Sequence, residues 1–129
     1  MALHTETQIY RTTLELAKLA TQLVARMPRS YKPSFGLDFQ RQCLGLVMRV
    51  YQANTSNDRG PILRLMREEI EKVNLAARLA VDLQLISKGQ HARLMELVIS
   101  AGKQTTGWLK HSEERLSSDG QGRRANAHR

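Results

Sequence analysis

Cysteine occurs once, at Cys43. The chain can therefore close no internal disulfide, and its cysteine usage fits a reducing cytoplasm. Proline is equally scarce, with Pro28, Pro33 and Pro61 the only three. All three fall between long periodic segments or in the first turn of one, so helical stretches run free of breakers. Aromatic residues make up 5% of the chain. The apolar remainder is mostly Leu, Ala, Val, Ile and Met, a mixture that favours helix over sheet. No apolar run approaches the ~20 residues that span a bilayer. The N-terminal MALHTETQIY lacks the basic-then-apolar order of a signal peptide. The expectation is a cytoplasmic protein with no membrane segment.

Acidic charge is also in deficit. Twelve Asp and Glu face 20 Lys and Arg, for a net charge of +8. A small helical domain does not need that excess to fold, and net charge speaks to partners and solubility. A surplus of this size points first to a polyanion, of which nucleic acid is the commonest.

Chemistry-bearing patterns are missing too. His4, His91, His111 and His128 are too scattered to share one helix face. No Cys pair, HExxH spacing or glycine-rich phosphate loop is present, so no metal, cofactor or active site is expected. The protein reads as non-enzymatic. Glu68, Glu69 and Glu71 lie among Arg64, Arg67 and Lys72, which reads as a solvated helix face with i,i+3 and i,i+4 pairs. Cys43 sits near a core stripe and reads as a buried, inert thiol.

What remains is amphipathic helix. At 129 residues and 41% hydrophobic content, the chain suffices for one packed domain. The first helix is expected over about Thr5 to Met27, with Ile9, Leu16, Ala20, Leu23 and Met27 at helical spacing. Pro28 stops it, and PRSYKPSFG forms the first loop. The second runs from about Leu37 to Asn54 on Phe39, Leu46, Val47 and Val50. Gly45 inside it costs ~1 kcal/mol relative to Ala, which reads equally as a close helix contact or as sequence drift. ANTSNDRGP is the second loop, where Asp58 or Gly60 could cap the next helix. The third helix is expected from Arg59 to Lys88, on Ile62, Met66, Ile70, Val73, Ala77, Ala80 and Leu83, ended by Gly89. The fourth runs from Gln90 to Leu116 with Met95, Val98, Gly102, Thr106 and Leu109 inward. Short loops make such helices antiparallel neighbours. The predicted fold is all-α, an antiparallel up-down-up-down four-helix bundle over residues 1–116. Residues 117–129 read as a disordered basic tail. That tail holds three Arg and one Asp, so +2 of the charge lies there and +6 on the bundle.

Two features go beyond folding. Leu94, Leu97, Ala101 and Trp108 lie off the expected stripe of the fourth helix, as do Leu65, Leu75, Leu79 and Ile86 on the third. They read either as a broad core or as a second packing face; Leu94, Leu97 and Trp108 are the candidates for an oligomer interface. Basic residues occur on every helix, and Arg suits bidentate contact with phosphate. Arg26, Arg29 and Lys32 cluster around Tyr31, which could stack on an unpaired base. Arg41 and Arg49 follow on the second helix. Arg78, in LAARLAV, has Asp82 as its one acid at helical spacing. It either pairs with Asp82 or faces something anionic. No groove-reading motif is present, so phosphate and shape recognition is favoured over sequence reading.

The motifs MPRSYKPSFG, RLAVDLQLIS and GKQTTGWLK, in that order across Thr5 to Leu116, resemble the accessory variability determinant of diversity-generating retroelements. Its fold family also includes small proteins encoded by intervening sequences in ribosomal RNA genes. The resemblance implies a four-helix bundle assembled as a barrel-like homopentamer. It implies two partners, a reverse transcriptase and its template-region RNA, in mutagenic retrohoming. Pro28 and Arg29 match the family's Pro-Arg loop, and Arg78 its basic residue in the third helix. Gly107, Trp108 and Leu109 match its GWL-like segment, with Thr106 where a second glycine is frequent. Two other readings stay open: an interaction bundle of the intervening-sequence type with no nucleic-acid role, or a DNA-binding accessory protein of a mobile element.

Overall fold

The computed structural model describes residues 4–127. Among them are four α-helices and no strand. They are α1 (His4–Ala25), α2 (Leu37–Thr55), α3 (Gly60–Asp82) and α4 (Lys88–Ala127). Close backbone approaches join α1 to α2, α2 to α3, α3 to α4 and α4 back to α1. The chain is a four-helix bundle around one core. Phe39, Leu16, Leu46, Leu63, Met66 and Leu94 are among its fully buried side chains. Among the described residues no helix is long and apolar enough to cross a membrane.

The ends of α1 and α2 follow the punctuation of the sequence. Before Pro28 the last turn of α1 tightens, with the N–H groups of Arg26 and Met27 donating to the carbonyls of Leu23 and Val24, the short reach of a 3₁₀ turn. A π-helical turn over Lys32–Gly36 then leads into α2. Gly36 makes this entry possible: a Cβ there would stand 2.8 Å from Val24 Cγ1. Gly45 is different. The nearest atom to a Cβ at that position is Glu69 Oε2 at 3.9 Å, so the tight helix contact is absent. Arg59 precedes α3 without a side-chain cap, and Pro61 occupies the first turn, where a missing N–H is harmless.

The α3–α4 boundary differs from expectation. α3 ends at Asp82, and Gly89 lies inside α4 instead of capping α3. The reversal is made by Gln84, whose φ of 62° is positive, and by a capping box. Ser87 Oγ accepts from the Gln90 N–H at 3.0 Å, while the Gln90 side-chain oxygen accepts from the Ser87 N–H at 2.8 Å.

The inward face of α4 is also rephased. Leu94, Leu97, Val98, Ala101, Trp108 and Leu109 are buried together with Thr105. Gly102 is half-buried and Thr106 exposed. Leu94, Leu97 and Trp108, at 0%, 9% and 2% exposure, belong to the core of a single chain and offer no outer face to a partner. The buried face draws on both apolar stripes, and it leaves out Gly102 and Thr106, whose small side chains would remove little apolar surface from water. The tail expected to be disordered continues α4 in helical backbone to Ala127. His128 and Arg129 lie outside the described residues.

Candidate nucleic-acid interface

The basic residues singled out from sequence separate into two groups. Arg49 is half-buried on α2. Its Nε donates to Glu69 Oε1 of α3 at 2.6 Å, with side-chain exposures of 30% and 24%, and its Nη1 donates to Gln52. This cation is satisfied within the fold. The three neighbouring acids are therefore not all a solvated face: Glu69 reaches across to α2, and Arg64 pairs with Glu113 of α4 at 3.1 Å.

Arg26, Arg29 and Lys32 are exposed. They stand where α1 ends and the π-helical turn begins. None of them makes an ion pair among the described residues. Arg41, exposed on α2, is likewise unpaired there, but it does not line the cavity described below. Tyr31 is half-buried, its N–H donating to the Pro28 carbonyl and its own carbonyl accepting from Gly36.

Arg78 takes the paired one of its two sequence-based alternatives. Its Nε donates to Asp82 Oδ2 at 3.2 Å, yet its side chain is 71% exposed. An exposed i,i+4 pair of this kind holds a side chain only weakly. Arg78 also lines a cavity of about 870 Å³ at one end of the bundle, together with Arg26 from the turn just after α1 and Lys88 from the start of α4. Lys88 was not singled out from sequence. It is far along the chain from Arg26, and only the turn made by Gln84 and Ser87 brings it there. His91 lines the same cavity, and its buried Nε2 has no hydrogen-bond partner.

Burial also accounts for Cys43. Desolvation pushes its thiol from 9.0 up to about 12. The protonated form dominates in the folded state at neutral pH, which makes it a poor nucleophile. Among the described residues no three His, Cys, Asp or Glu side chains are placed to hold a metal ion.

No protein-family model matches the chain, and no curated protein matches it. The class is therefore set by the fold and the site alone: a small basic four-helix bundle in which cations from the turn after α1, from α3 and from α4 share one end cavity.

Proposed function

We propose that the protein is a non-enzymatic nucleic-acid-binding adaptor that partners the reverse transcriptase of a diversity-generating retroelement and its template RNA in the cytoplasm. The observation that carries this reading is the convergence of Arg26, Arg78 and Lys88 on one cavity. Arg29 and Lys32 lie on the adjoining loop. Arg26 and Lys88, without ion-pair partners among the described residues, are free to neutralise phosphates, and the exposed Arg78–Asp82 pair is weak enough to open. The sequence resemblance supplies the identity of the partners.

The bundle is proposed to be antiparallel, up-down-up-down. Supporting contacts run in opposite senses along neighbouring helices. Gln104 of α4 bonds Thr12 of α1, while Lys88 and His91 near the start of α4 line the same cavity as Arg26, just past the end of α1. Assembly is proposed as a barrel-like homopentamer. With Leu94, Leu97 and Trp108 inside the core, the side-by-side contact falls to the exposed Leu75 and Leu79 of α3 and Leu44 and Met48 of α2. Five chains of +8 would carry about +40, a field strong enough to steer RNA.

A second reading has its own observation. Leu44, Met48 and Tyr51 are exposed at i, i+4 and i+7 on α2, the spacing of a helix face that docks a protein. This favours a plain interaction bundle.

The deciding experiment measures binding of the purified chain to a structured RNA and a matched DNA duplex across a salt series, with light scattering for mass. Tight RNA binding by an oligomer, falling steeply with salt, is expected. Preference for the duplex selects a DNA-binding role. A monomer that binds neither nucleic acid at low salt leaves the interaction bundle.

A further inference from the structure

The cavity at the Arg26 end has a volume of about 870 Å³, within the range of small-molecule sites. Its three cations arrive from three separate stretches of chain: Arg26 in the turn after α1, Arg78 on α3 and Lys88 at the start of α4. One acid faces them, Asp82, and it is engaged by the Nε of Arg78. Arg26 and Lys88 have no partner among the described residues. Cations that share a cavity repel one another unless an anion joins them.

The start of α4 adds positive partial charge beside Lys88, because the first amides of a helix lack intrahelical acceptors. Ser87 and Gln90 are closed on each other in the capping box and offer the cavity little. His91 differs, since its buried Nε2 is left without a partner. An unmet buried nitrogen costs free energy until something bonds it.

The chemistry of the lining selects among anions. A planar carboxylate is satisfied by one guanidinium fork. A tetrahedral phosphate presents oxygens in several directions and carries more charge, which suits separate cations on separate stretches of chain. We infer that this cavity is a phosphate-binding pocket, with Arg26, Arg78 and Lys88 as its cations and His91 at its wall. The inference rests on the proposed nucleic-acid role only for the source of the phosphate, a strand of RNA as against the free ion.

The test follows the His91 ring and the Lys88 amide by NMR in the full chain. Inorganic phosphate and a short single-stranded RNA are titrated separately, with chloride at matched ionic strength as control. Fluorescence anisotropy records RNA binding in parallel. Saturable shifts at both positions are expected. Arg26→Gln and Lys88→Gln should each weaken them by up to about tenfold while the remaining amide spectrum stays folded. Lys18→Gln, outside the cavity, should leave them unchanged.

Shifts with RNA alone assign the pocket to a strand phosphate. Shifts with inorganic phosphate and no RNA binding keep the pocket and overturn the nucleic-acid reading. RNA binding while His91 and Lys88 stay still overturns the pocket and leaves the nucleic-acid reading standing. No response to either probe beyond chloride overturns the pocket as well.

Discussion

Arg49 and Arg78 are the same residue type on adjacent helices, and the bundle uses them in opposite ways. At the α2–α3 seam Arg49 is half-buried, 2.6 Å from Glu69, and bonded a second time to Gln52. At the end of the bundle Arg78 is 71% exposed and shares a cavity with Arg26 and Lys88. The seam joins helices by matching its charges. The end gathers three cations against one acid, Asp82, and leaves Arg26 and Lys88 unmatched among the described residues. A cation contributes to a fold when a partner meets it half-buried, and to recognition when the fold holds it in place without meeting it.

The end is only as firm as the core beneath it, and that gives the largest expected effect. Leu94 lies one helical turn from His91 and is fully buried. Leu94→Ala should lower the unfolding free energy by about 2–5 kcal/mol, read from urea denaturation. A variant that keeps its stability but loses mass in light scattering would return Leu94 to an intersubunit contact.

Gly36 fixes against α1 the turn that follows Arg29 and begins at Lys32. Gly36→Ala drives a Cβ to 2.8 Å from Val24 Cγ1, and overpacking of that kind costs about 1–3 kcal/mol. Thermal melting should fall, and RNA affinity with it, because the loop carrying Arg29 and Lys32 must shift. At the seam a Cβ on Gly45 would meet Glu69 Oε2 at no closer than 3.9 Å, an ordinary contact that predicts the reverse. Gly45→Ala should raise stability by up to ~1 kcal/mol, and a loss there would reveal a contact that the seam does not show.

The two arginines can be compared directly. Arg49→Ala leaves Glu69 half-buried and unpaired, a loss of about 1–2 kcal/mol after allowing for solvent screening. Its RNA affinity should hardly change. Arg78→Ala should keep stability within ~0.5 kcal/mol of the parent and weaken RNA binding. Equal effects of the two substitutions on both measurements would erase the distinction between seam and end.

The most local effect belongs to the turn that delivers Lys88 and His91. Ser87→Ala removes one half of the capping box and should cost about 1 kcal/mol. Hydrogen exchange should speed up at the first amides of α4 and not at the α2–α3 seam.

The parts of the fold that were legible in the sequence are those with unambiguous punctuation. Pro28 and the run ANTSNDRGP place the limits of α1 and α2 within a few residues of where they fall. The α3–α4 boundary was hidden because Gly89 invites a glycine cap. The chain instead turns on Gln84 in a left-handed conformation and on a Ser87–Gln90 box that a reader can find in SKGQ. The face of α4 was ambiguous because residues on both sides are apolar, and the buried face draws on both. Arg26 and Arg78 could be named from sequence as unusual cations. Their meeting with Lys88 could not, because it depends on three helix ends reaching one place in space.

The buried thiol has one more consequence. Between pH 9.0 and about 12 the unfolded chain releases the Cys43 proton and the folded chain keeps it. Stability is therefore expected to be unaffected by this group below pH 9.0 and to decline as pH rises through that window. At neutral pH a thiol reagent can reach the sulfur only when the helices part. The labelling rate of Cys43 thus serves as a clock for the breathing of the bundle, readable in a cuvette from a single atom.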